Sequence, residues 1–101
     1  MIDIDIKLAN DQEKDLAASL MSASEPWITL GRDELMCRNI CHDPEFFLYM
    51  ASSNNIPAGI ILFDPRGVAG SPYIKSIAVY PEFRGQGIGT KLLSFAENLF
   101  R

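Results

Sequence analysis

The stretch from Tyr73 to Leu93 constrains this chain more than any other part of it. Tyr73 to Val79 is rich in β-branched and aromatic residues, the composition of a strand. Pro81 ends that strand, because proline has no N–H to give to a ladder. Gly85, Gly87 and Gly89 follow at alternate positions. Leu92, Leu93, Ala96, Leu99 and Phe100 then recur at helical spacing. The segment therefore reads as strand, glycine-rich turn and helix. Such a turn is a place for phosphate. The first N–H groups of a helix lack intrahelical partners, and the helix dipole adds about half a positive charge there. Glycine removes the Cβ atoms that would hold a pyrophosphate away from those groups.

The order of the glycines narrows the ligand. A dinucleotide-binding turn has G-x-G-x-x-G followed by an acidic residue about 20 residues on. Here the run is Arg84-Gly85-Gln86-Gly87-Ile88-Gly89, and the sequence ends at Arg101, short of such a position. A nucleotide-binding P-loop has G-x-x-x-x-G-K followed by Ser or Thr, which Gly85 to Lys91 does not match. The run resembles the acetyl-coenzyme A signature of the GNAT acetyltransferase superfamily. That signature is Arg or Gln, two free positions, Gly, one free position, then Gly or Ala. Arg84, Gly87 and Gly89 fill its fixed positions, and Ile77 to Phe83 resembles the family's approach to the turn. A short pattern gains specificity from its setting, here a strand before it and an amphipathic helix after it. The competing reading is a glycine-rich turn that holds no ligand.

At 101 residues the chain is one domain, residues 1–101. A net charge of −4 argues against a nucleic-acid footprint. No apolar run reaches the 18 residues of a membrane span. The acidic, alternating start, Met1 to Ile6, is unlike a signal peptide, so a cytoplasmic location is expected. Cys37, Cys41 and His42 form C-x-x-x-C-H, one residue longer than a haem attachment site. No second Cys or His pair completes a zinc site, and no metal is expected. A disulfide across one helical turn would be strained. Two reduced thiols on one helix face is the expected outcome.

Taken in order, Ile2, Ile4 and Ile6 alternate with polar residues as a half-buried strand does. Asn10 and Glu13 are spaced as a capping box. The helix they open carries Leu16, Leu20 and Met21 on its apolar side and fades around Ser22 to Ser24. Pro26 interrupts it. A second helix is expected from about Arg32 to Cys41, with Leu35, Met36 and Ile40 inward. Phe46 to Ala51 reads as a strand buried on both faces, Ser53 to Asn55 as a turn, and Ile56 to Phe63 as the returning strand. Gly59 within it signals a bulge or a close backbone approach. Asp64 to Pro72, with two prolines and two glycines, reads as a loop. The expected fold is α/β (α+β), a mixed, mainly antiparallel sheet in the order β-α-α-β-β-β-α. That is also the order of the N-terminal portion of a GNAT domain.

The resemblance implies N-acetyltransferase chemistry: an acetyl group passes from acetyl-CoA to a primary amine of a small molecule or peptide. It assigns the cofactor to backbone at Ile77, Ala78 and Val79 and to the turn Arg84, Gly85, Gln86, Gly87, Ile88 and Gly89. It also implies that the chain ends at the signature helix, without the later strand, helix and hairpin of the family. The far wall of the cofactor channel and the usual thiolate-protonating tyrosine would lie in that part. The chain alone is then expected to be a poor catalyst. Glu25, between the first two helices, is the candidate base. A solvated loop carboxylate is the alternative there; Trp27 is a candidate wall of the acceptor site with a core residue as the alternative, and His42 reads as a surface residue with catalysis as the alternative. A catalytically inactive coenzyme A-binding module and a purely interacting domain remain as rival functions. An uncovered strand 73–79 and an under-packed last helix lead us to expect self-association.

Overall fold

The computed structural model describes residues 4–23, 28, 31, 33–68 and 71–99. Strand β1 (Asp5–Leu8) leads to helices α1 (Asp11–Ser22) and α2 (Glu34–Cys41). Strands β2 (Phe47–Ser53), β3 (Ile56–Val68) and β4 (Ser71–Val79) follow, then a single 3-10 turn (Pro81–Phe83) and helix α3 (Ile88–Leu99). The expected element order is met. The described strands form one sheet in the order β1-β2-β3-β4, every pair antiparallel.

Strand alternation builds two cores from one sheet. Leu48, Met50, Ile60 and Leu62 point to α1 and α2, where they meet Ala17, Ala18, Leu20, Met21, Cys37 and Cys41. Ala51, Ile61 and Phe63 point the other way and meet Ile88, Leu92 and Ala96 of α3. Successive side chains of a strand leave opposite faces, so β3 from Ala58 to Phe63 and β2 from Leu48 to Ala51 are apolar on both, whereas Phe47, expected to be buried with the rest of its strand, is exposed.

The helices form where the capping chemistry allows, and they turn faces that hydrophobicity alone does not select. The Glu13 N–H donates to Asn10 Oδ1 at 2.8 Å, and the Asn10 N–H donates to Glu13 Oε1 at 3.0 Å, a complete capping box. Asp33 caps α2 through the Met36 N–H at 2.9 Å. On α2 the expected inward residues Leu35 and Met36 are exposed, and Cys37 and Cys41 take the core positions, with Ile40 partly packed. On α1, Leu16 is exposed while Ala17 and Ala18 are fully buried. The contact mixes small and long side chains: Leu20 and Met21 of α1 fill it beside Ala17, Ala18, Cys37 and Cys41. The thiols are free, as expected. Cys41 lies 3.4 Å from the Met21 sulfur, and burial pushes its pKa up to about 12, which favours the protonated thiol.

Two stretches of strand depart from the expected pattern. Asn54 and Asn55 both adopt left-handed backbone, φ 51° and 66°, and close the β2–β3 hairpin as expected. The expected loop over Asp64 to Pro72 is instead the far end of a long β3–β4 hairpin. Pairing resumes at Val68↔Ser71 beyond a register irregularity that follows Asp64↔Tyr73. Pro65 and Pro72 are accommodated because the ladder is interrupted where they fall. A second irregularity leaves Lys75 unpaired between Ser76 and Ile74, and its ammonium sits 5.0 Å from the centre of the Phe46 ring.

The outer side of the α1–α2 pair carries a small ionic cluster. Asp15 Oδ1 lies 2.8 Å from His42 Nε2 and accepts from Arg38 Nε at 3.2 Å. His42, the C-cap of α2, is thus tied to α1. The hydrogen bond with His42, aided by the Arg38 charge, holds the Asp15 carboxyl below its ordinary pKa. A depressed carboxylate pKa means stability that is present above the unfolded value and lost as pH falls through the folded one. Asp15→Asn should therefore lower the melting temperature at pH 6. The gap from the unsubstituted protein should close as the pH is taken down to about 2. A gap that stays constant across that range would show that the carboxylate is not the source.

Candidate functional site

The site is built where β4 gives way to α3. The trans peptide between Val79 and Tyr80 fixes its geometry. The Tyr80 N–H donates to the Ala58 carbonyl of β3 at 2.9 Å, so the Val79 carbonyl, on the other side of the same peptide, points away from the sheet. The Ala78 carbonyl lies on the β3 side, where a Cβ on Gly59 would meet it at 3.0 Å. The Val79 N–H, in the same peptide as that carbonyl, therefore also points outward. Ile77, two residues back on the uninterrupted part of the ladder, faces the same way. Ala78 is different: its backbone groups face β3 and its side chain packs towards α1.

The turn beyond is held at several points. Pro81 opens the 3-10 turn, and the Phe83 N–H donates to the Tyr80 carbonyl at 2.9 Å. Gly85 and Gly87 then take φ of 79° and 80°, values that a residue with a Cβ adopts only under strain. A Cβ at either position would meet nothing within 4 Å, so the requirement is conformational and the space above the turn is open. The first bond of α3 runs from the Lys91 N–H to the Gly87 carbonyl at 3.1 Å. The N–H groups of Ile88, Gly89 and Thr90 precede it and have no acceptor in the helix. Gly85, Gln86 and Gly87 are exposed, while Ile88 is buried and anchors the turn in the core.

The structure thus brings together Ile77, Val79 and the run Arg84 to Gly89 on one margin. Glu25, the candidate base, and Trp27 lie outside the described residues. His42 belongs to the Asp15 cluster on the α1–α2 side. Three contacts were not legible in the sequence. Arg84 Nε donates to the Val79 carbonyl at 3.3 Å. Gln86 Nε2 donates to the Glu82 carbonyl at 3.2 Å, bracing the turn from within. The Tyr80 hydroxyl donates to the Leu16 carbonyl at 3.1 Å, tying the strand end to α1. Partial burial raises the Tyr80 pKa, so the phenol stays protonated and can donate. An arginine five residues after the end of an edge strand is the signal that bears on the first of these. An open concavity of about 330 Å³ lies elsewhere, lined by Ile4, Asp5, Lys7, Ser52, Asn54 and Asn55, and shares no residue with this margin. Among the described residues no helix is long and apolar enough to cross a membrane.

The chain is similar to known proteins in family and in fold. The sequence profile of the acetyltransferase (GNAT) family matches residues 11–101. No curated protein matches the chain. Several solved structures share the fold. An IAA acetyltransferase from Bacillus cereus ATCC 14579 superposes with a TM-score of 0.72 at 21% identity, over 96% of this chain and 57% of the other. The ribosomal-protein-S18-alanine N-acetyltransferase from Escherichia coli gives 0.75 at 17% identity, over 97% of this chain and 59% of the other. The PaiA N-acetyltransferase from Thermoplasma acidophilum, solved in complex with coenzyme A, gives 0.69 at 17% identity, over 98% and 72%. The chain thus spans less than two thirds of the length of the first two.

Proposed function

The chain belongs to the acetyltransferase (GNAT) family, and on that ground we propose that it takes part in transfer of an acetyl group from acetyl-CoA to a primary amine. The observation that carries this reading is the pair of glycines at φ 79° and 80° opening α3 beside a strand end whose last N–H and C=O point outward. The N–H groups at the start of α3 suit the two negative phosphates of coenzyme A, whose charge the helix terminus favours. The outward backbone groups of Ile77 and the Val79 N–H suit the amide-bearing pantetheine arm, which pairs with an edge as a strand does. Acetyl-CoA supplies the acetyl group as a thioester. In the transfer, the amine nitrogen bonds to the thioester carbonyl carbon and gives up one proton, the carbon–sulfur bond breaks, and the departing thiolate takes up a proton, leaving an amide and a free thiol. The outward Val79 N–H is a suitable donor to the carbonyl oxygen as negative charge develops on it.

Calorimetric titration of the folded protein with coenzyme A tests the binding half of this reading. One equivalent should bind, and ADP should compete, because it carries the same diphosphate. A cooperatively melting protein that takes up neither ligand at millimolar concentration would overturn it. Thiol release with a panel of amines tests the transfer itself.

A further inference from the structure

We propose that Arg84 is a positioning residue: it acts as a clasp that closes the outward carbonyl of Val79, and not chiefly as a charge for the cofactor. This deepens, and rests on, the coenzyme A reading above. The last peptide of β4 is bonded on both sides. Its N–H, from Tyr80, goes to the Ala58 carbonyl at 2.9 Å, and its C=O, from Val79, receives Arg84 Nε at 3.3 Å. The same residue that begins the turn therefore fixes the strand end. The Arg84 N–H also donates to the Pro81 carbonyl at 3.3 Å, and its backbone is extended, at φ −65° and ψ 146°. Main chain and side chain of one residue thus span the 3-10 turn and hold the cradle at a set distance from the β4 edge. That spacing matters because one ligand must meet both, with its diphosphate at α3 and its arm along β4.

The clasp also decides which backbone groups remain for a ligand. With the Val79 carbonyl occupied, the Val79 N–H and the groups of Ile77 are left along the uninterrupted end of the edge. A donor remains at the position where a thioester oxygen would need one. The nearest strand-like partner is offered a shorter ladder, which also limits unwanted pairing at this margin.

The side chains available for substitution separate the clasp from a charge. Glutamine carries its amide nitrogen on Cδ, the position that Nε holds in arginine. Lysine keeps the charge but places a methylene there. If Arg84 is a clasp, Arg84→Gln should keep coenzyme A affinity within about twofold, whereas Arg84→Lys and Arg84→Ala should lose about five- to tenfold, the scale of one hydrogen bond. The loss should appear with coenzyme A and not with ADP, which has no pantetheine arm. Retained affinity in Arg84→Lys, with equal losses for coenzyme A and ADP in Arg84→Gln, would overturn the clasp in favour of a charge. Amide hydrogen exchange without ligand gives a separate reading. The Tyr80 N–H, in the clasped peptide, should exchange about fivefold faster in Arg84→Lys and at the unsubstituted rate in Arg84→Gln. An unchanged Tyr80 rate in all three variants would dismiss the clasp even if coenzyme A does not bind. Failure of the unsubstituted protein to bind coenzyme A would dismiss the functional reading while the exchange rates still decide the clasp.

Discussion

Gly59→Val should destabilise the protein by roughly 3 kcal/mol, the upper end of the range for overpacking a filled core. A Cβ at this position would stand 3.0 Å from the Ala78 carbonyl oxygen, 3.2 Å from Ile88 Cγ2 and 3.2 Å from Leu92 Cδ1. The carbonyl belongs to the neighbouring strand and cannot retreat without breaking the β3–β4 ladder. The two side chains are fully buried and lie where α3 crosses β3, so they have little room to yield. Valine adds two further methyl groups to the same space. For a domain of this size each kcal/mol moves the melting temperature by about 4–8 °C, which predicts a fall of roughly 12–24 °C. Thermal unfolding followed by circular dichroism measures it. Gly59→Ala should show a smaller fall of the same origin. A melting temperature unchanged in Gly59→Val would mean that α3 does not rest on β3 at this point. Because Ile88 also opens α3, coenzyme A binding should weaken with the fold in this variant.

Gly87→Val should behave in the opposite way, with binding lost and the fold largely kept. A Cβ at Gly87 meets nothing within 4 Å, so no packing is disturbed. The backbone cost arises from φ of 80° and is about 1–2 kcal/mol for a residue with a Cβ. The side chain would stand in the open space above the turn, in the path of a diphosphate approaching the N–H groups of Ile88 to Thr90. Relief of the strain would rotate those N–H groups as well. We expect coenzyme A affinity to fall by at least about thirtyfold, or 2 kcal/mol. Gln86→Ala, one residue away, should change it by about threefold or less, since only the exposed bond to the Glu82 carbonyl is lost. Titration calorimetry on both variants, with melting curves as a control, gives the comparison. Equal affinities in the two variants would show that the turn is not the diphosphate site.

What the sequence determined by itself was local. The Asn10–Glu13 capping box, the turn at Asn54–Asn55 and the glycine turn from Gly85 to Gly87 each depend on neighbours within a few residues, and each appears where residue type placed it; of the alternating first strand, β1 keeps Ile6 but begins at Asp5, and Ile2 lies outside the described residues. Gly59 was legible as an exception, because glycine inside a buried strand has few other reasons to be there. Tertiary structure alone decided the rest. Leu35 and Met36 were expected inward and lie exposed, because α2 is rotated so that Cys37 and Cys41 face the core shared with α1 and the sheet. Hydrophobicity along one helix carries no record of which of two apolar sides its neighbours will cover. The continuation of β3 to Val68 and the start of β4 at Ser71 depend on each strand finding the other as a partner, which overrides the turn preference of the prolines and glycines between them. The site divides in the same way. Its glycines are written in the sequence because φ above zero is a property of one residue. The outward peptide of Val79 and its bond to Arg84 are not, because they exist only once the Tyr80 N–H has paired with Ala58 on another strand.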